Sequence, residues 1–149
     1  VYSLGRWIFG EKPAGGKARD ADLSTWYASA LFFPTGEQPE FSSGTLQPVR
    51  PLRDFDPSAG AFGALGLAAR YDHFKGDKDW INPAAYVSVR EANAVSLALN
   101  WILFPMHRII VDYTYTDFSD PLRVRVNPDG SVDYVDKENA ITARYSICF

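Results

Sequence analysis

Between Ala94 and Thr116 the chain alternates apolar and other side chains twice over, with one short break at Pro105. Val95, Leu97, Leu99, Trp101 and Leu103 fall on one side of the first run. Ser96, Ala98, Asn100, Ile102 and Phe104 fall on the other. In the second run Ile109, Val111, Tyr113 and Tyr115 oppose Arg108, Ile110, Asp112, Thr114 and Thr116. Successive side chains of a strand point to opposite faces, so each run is a strand with one greasy face and one mixed face. A break of two or three residues permits only an antiparallel hairpin.

The same period recurs elsewhere. Ile141, Ala143, Tyr145, Ile147 and Phe149 alternate with Thr142, Arg144, Ser146 and Cys148. Leu65, Leu67, Ala69 and Tyr71 alternate with Gly66, Ala68, Arg70 and Asp72 in a strand expected over Phe62 to Phe74. Leu23 to Phe33 is strand-like with an ambiguous phase, and Val1 to Phe9 is a sixth candidate. Polar connections are expected at Gly10–Asp22, Pro34–Gly60, Lys75–Asn93 and Ser119–Glu138. Ten Pro and eleven Gly supply the breaks that many short elements need.

Two architectures fit this pattern. Strands of roughly 9 to 12 residues match tilted strands crossing a bilayer, and a tight turn beside long loops matches an outer-membrane barrel. The alternative is a soluble or lipid-binding β-barrel whose apolar face is a core around an apolar ligand. Neither the absence of a long apolar run nor the mean hydropathy of −0.18 separates them, because alternation hides a lipid-facing side in the average. The net charge of −3 lacks the basic excess of a nucleic-acid-binding domain. Cys148 is the only cysteine, so no internal disulfide is expected. His73 and His107 lack zinc-ligand spacing. No phosphate loop or nucleophile–base pair stands out, so neither an enzyme nor a cofactor is expected.

Phe149 at the end of an alternating strand looks like the terminal signature that the barrel-assembly machinery of the outer membrane reads. With Phe149 at the periplasmic rim, strand directions follow. Tyr71, Tyr113 and Tyr115 then fall near the external rim, and Trp101 with Phe149 near the periplasmic one. Rings at both rims suit the membrane–water interface.

The motifs resemble those of the phosphate-selective porin O and P family. Thr35-Gly36-Glu37, after the aromatic stretch Trp26–Phe33, is similar to its Leu-Thr-Gly-Glu segment. Gly60-Ala61-Phe62, then Ala69-Arg70-Tyr71, resembles its Gly-Ala-Trp-Glu…Arg-Tyr strand. Leu97-Ala98-Leu99-Asn100-Trp101, followed by Pro105 and Arg108-Ile109, resembles its hairpin, and Arg144 with Phe149 its ending. Phe62, Gly63 and Phe104 stand where the family has Trp, Glu and Asn. The resemblance implies an all-β fold: an antiparallel transmembrane β-barrel of sixteen strands, assembling as a homotrimer in the bacterial outer membrane. Residues 1–149 would then be its C-terminal five or six strands, in one domain. Such a piece needs the missing strands, or further chains, to close. The expected start is about ten more alternating strands upstream, preceded by a signal peptide.

In a porin, the side opposite the lipid lines the lumen. Arg70, Arg108 and Arg144 occupy that side, and guanidinium suits oxyanions because its charge persists and its donors match them. Asp72 and Asp112 share the side and can neutralise it. Arg50 and Arg53 lie in Pro34–Gly60, which the resemblance reads as a segment folded into the lumen. Glu37 and Glu40, in the same polar turn, are expected to be solvated surface carboxylates. The function so implied is passive diffusion of small hydrophilic solutes, anions such as phosphate among them.

Overall fold

A computed structural model describes residues 2–11, 19–43, 45–77, 81 and 88–147. The fold is all-β and antiparallel. Six strands, β1 (Tyr2–Glu11), β2 (Arg19–Phe32), β5 (Ala64–Lys75), β6 (Glu91–Phe104), β7 (His107–Val126) and β8 (Val132–Ile147), form one sheet in that order. It is an up-and-down meander with one excursion. Between β2 and β5 the chain leaves the sheet to make the two-residue strands β3 (Phe41–Ser42) and β4 (Thr45–Leu46) and a 3₁₀ turn at Pro57–Ala59. The β1–β2 register runs from Tyr2 opposite Ala28 to Glu11 opposite Arg19. The chain divides into two compact units, one of residues 1–29, 70–95 and 115–139, the other of 30–69, 96–114 and 140–149.

In the second unit the alternation becomes a division of faces. The hydroxyls of Ser96 and Thr114 share a hydrogen bond of 2.9 Å, which puts the even positions of β6 and β7 on one face. The odd positions, Leu97, Leu99, Val111 and Tyr113, are all exposed. With Phe32, Leu67 and Ile141 they line one continuous apolar surface. Phe32 remains 64% and Ile141 78% accessible. Leaving such side chains in water forgoes roughly 25 cal/mol per Å² of apolar area, and an apolar surface of this extent marks a membrane or partner contact.

The core of this unit lies on the other face. Phe33, Ala64 and Ile102 are buried together, with Leu31 and Val49 packed against them. Val49 belongs to the excursion, so the chain covers its own mixed face and leaves the greasier one bare. A soluble barrel with the apolar face as its core requires the reverse.

The connections differ from the sequence expectation at one place above all. Ser119–Glu138 is not a long loop: β7 runs for 20 residues and β8 for 16, joined only at Asn127–Ser131. Asn127 N–H donates to Ser131 O at 2.9 Å, Gly130 takes φ +83°, and the Asp129 carboxylate accepts from Ser131 N–H at 2.9 Å. Paired strands need a backbone ladder and not an apolar face, so both continue past the end of the hydrophobic pattern. Twenty residues also exceed the about 9–11 that span a bilayer. The loop asymmetry inferred for this hairpin is therefore absent. Strands β2 and β6 likewise start earlier than their apolar patterns, at Arg19 and Glu91.

Candidate functional site

The excursion between β2 and β5 is fastened along its length. It begins with a turn at Phe33–Gly36, closed by Gly36 N–H to Phe33 O at 3.1 Å, with Gly36 at φ +98°. The Thr35 hydroxyl accepts from Leu65 N–H at 3.0 Å and donates to the Glu37 carboxylate. The other oxygen of that carboxylate accepts from Leu52 N–H at 3.1 Å. Further along, Phe55 N–H donates to Leu103 O at 2.9 Å, and Asp56 and Ala61 exchange two backbone bonds of 2.9 Å. Asp56 caps the 3₁₀ turn through Ser58 and Ala59. Trp101 Nε1–H donates to Phe62 O at 2.6 Å, and its ring meets Phe55 edge-on at 5.5 Å.

Glu37 therefore corrects the expectation of a solvated turn carboxylate: it is 7% exposed and ties Thr35 to Leu52 within the segment. The signal was available in Thr35-Gly36-Glu37, where a turn glycine sets a hydroxyl beside a carboxylate. Burial pushes the Glu37 carboxyl upward, but hydrogen bonds from Thr35 and the backbone outweigh it and hold the group below the usual carboxylate range. A depressed folded value means stabilisation that is complete above the ordinary carboxylate pKa and is lost as pH falls through the folded one. The urea midpoint in detergent is expected to drop as the pH falls below the ordinary carboxylate range. Glu37→Gln should lower stability at neutral pH and flatten that decline; an unchanged acid profile in the variant would assign the decline to other carboxylates.

The five arginines singled out by sequence have different surroundings. Arg70 lies 2.8 Å, Nε to Oδ1, from the Asp72 carboxylate, its neighbour two residues on and hence on the same face. Its guanidinium also stands 4.1 Å from the Tyr27 ring centroid, a partner the sequence did not reveal. Arg53 donates to Ala59 O at 3.3 Å, within its own loop. Arg50 shares a cleft of about 370 Å³ with Glu37, Glu40 and Pro48. Arg108 and Arg144 are exposed and have no ion pair among the described residues. The His107 ring and the Tyr145 hydroxyl share a hydrogen bond of 2.5 Å across β7 and β8. Arg108 and Arg144 are the residues next to these two, on the opposite face by alternation. Of the five arginines, only Arg70 is paired with an acid among the described residues. Asp112 is half-buried and shares their face.

Among the aromatic residues, Tyr71 stacks obliquely on Trp26 at 5.1 Å and donates to Asn93 Oδ1 at 2.8 Å. The His73 ring shares that Asn93 oxygen at 2.8 Å. Tyr113 is exposed on the apolar face, Tyr115 half-buried, and Trp101 held as described. Phe149 and Cys148 lie outside the described residues. No group of metal-ligating side chains occurs among the described residues.

No curated protein matches the chain. A family model described as "Phosphate-selective porin O and P" matches residues 5–144, from within β1 to within β8. That span takes in all six strands, the fastened segment and all five arginines. The chain belongs to the phosphate-selective porin O and P family, a family of outer-membrane channels and not of enzymes.

Proposed function

We propose that this chain is the C-terminal part of a trimeric outer-membrane channel whose passage favours small anions, phosphate among them. The observation that carries the reading is that Arg108 and Arg144, on the adjacent strands β7 and β8, are exposed and have no ion pair among the described residues. A guanidinium without an acid partner attracts an oxyanion where a matched ion pair does not. Strands β1 and β8 are the two edges of the sheet, and an edge in lipid needs a partner strand. We assign that role to upstream strands of the same barrel, and recognition of the last strand to the barrel-assembly machinery.

Reversal potential across a planar bilayer under a salt gradient, with the full-length protein, tests the reading. The wild-type ratio is expected to favour anions; a ratio favouring cations overturns the anion preference. The folded-back segment narrows the passage in this reading, and a narrow, low-dielectric passage strengthens each charge. Arg50→Ala with Arg53→Ala should therefore lower the anion-to-cation ratio several-fold. Arg70→Ala should change it little, because Asp72 already offsets that charge. An unchanged ratio in the double variant removes the segment from the filter. Recovery of the protein as a soluble monomer without detergent contradicts the channel itself.

A further inference from the structure

The segment folded over the mixed face leaves a cleft of about 310 Å³ between its residues 47–49 and strands β6 and β7. The two sides of this cleft differ in chemistry. Phe33 and Ile102, both buried, and Val49, packed against them, make it hydrocarbon on one side. Its polar lining is Gln47, Asn100, His107 and Arg108. Gln47 spends part of its amide on Thr45 O at 3.2 Å, whereas Arg108 has no ion pair among the described residues.

Inorganic phosphate suits such a cleft poorly. It carries oxygen on every side, and the hydrocarbon side has no donors to replace the water it gives up. A wholly apolar molecule leaves the guanidinium unused. A carboxylate on a small apolar body satisfies both sides: its two oxygens match the fork of Arg108, and its carbon skeleton covers Phe33, Val49 and Ile102. The volume lies at the lower end of ligand pockets, which suits a molecule of about one ring. We propose that this cleft binds small monocarboxylates with an aromatic or branched apolar body. The proposal rests on the reading of the covered face as the wall of an anion-passing pore, and it narrows the substrate class.

Calorimetric titration of benzoate, acetate and inorganic phosphate into the detergent-purified, full-length protein tests it. Acetate carries the same head group without the ring. Benzoate is expected to bind at least about tenfold more tightly than acetate, from the apolar area it buries, and phosphate binding should be indifferent to Val49→Asn. Arg108→Ala should weaken benzoate about tenfold or more, and Arg108→Lys less, since it keeps the charge without the fork. Val49→Asn should weaken benzoate more than it weakens acetate. Equal affinities for benzoate and acetate, or benzoate binding indifferent to Arg108→Ala, overturn the proposal. Reversal potential on the same preparation separates the two levels. An anion-favouring pore without benzoate preference removes only the cleft. A cation-favouring pore that still binds benzoate through Arg108 removes only the anion reading.

Discussion

Replacing Gly63 by alanine is expected to destabilise the folded protein by on the order of 3 kcal/mol, far more than the same change at any other turn glycine described. Gly63 has φ +71°, where an L side chain costs about 1–2 kcal/mol. A Cβ there would also stand 2.3 Å from Ile102 O and 3.2 Å from Leu103 Cα. Both are backbone atoms of a paired strand, so no rotamer change relieves the contact. The close approach has a structural use: it seats the neighbouring Ala64, which is fully buried, beside Ile102 and Phe33. Gly60 is the control. Its φ of +64° imposes the same conformational cost, but a Cβ there meets nothing within 4 Å. Urea midpoints in detergent, or the temperature at which the folded form disappears on a gel, should fall much further for Gly63→Ala than for Gly60→Ala. Equal losses would mean that the approach of Gly63 to β6 carries no stability of its own.

The largest functional change is expected from reversing the charges of Arg108 and Arg144. Arg108→Glu with Arg144→Glu should lower the anion-to-cation permeability ratio by about tenfold and carry it past unity toward cations. The variant replaces two positive charges by two negative ones on adjacent strands. No bound carboxylate among the described residues buffers the change, unlike at Arg70, where the Asp72 ion pair leaves little net field. Ionic strength supplies the internal check. The Debye length is about 10 Å at 0.1 M salt and about 3 Å at 1 M, so the effect should shrink steeply at the higher concentration. A ratio indifferent to the double reversal at low salt would place these guanidiniums away from the permeation path.

Which parts of this arrangement could be read from residues alone follows from what each part depends on. The two faces of β5, β6 and β7 were legible because successive side chains of a strand point to opposite faces and differ in polarity at alternate positions. The phase of Leu23–Phe33 was not, and the reason is physical: Ala30 and Phe32 lie on the apolar surface, while Leu31 and Phe33 pack under Val49, so both faces there are apolar. Strand ends beyond the hydrophobic pattern were missed at Ser119–Glu138 because backbone pairing leaves no mark in polarity. Alternation sets Arg108 and Arg144 opposite the apolar side of their strands, but it carries no cross-strand register, and so it could not foresee the contact between His107 and Tyr145. Arg70 and Asp72 stood in view as a possible pair two positions apart. Glu37 was misjudged because its burial is made by residues far along the chain, Leu52 and Leu65.

The excursion also couples strands that are far apart in the chain. Strands β2 and β5 are neighbours in the sheet, with residues 33–63 between them in sequence. The Thr35 hydroxyl holds Leu65 N–H, Phe55 N–H holds Leu103 O, and Trp101 Nε1–H holds Phe62 O. One connecting segment is therefore fastened to β5 at its start and to β6 near its end, and a change within it is transmitted to a strand it does not adjoin in sequence.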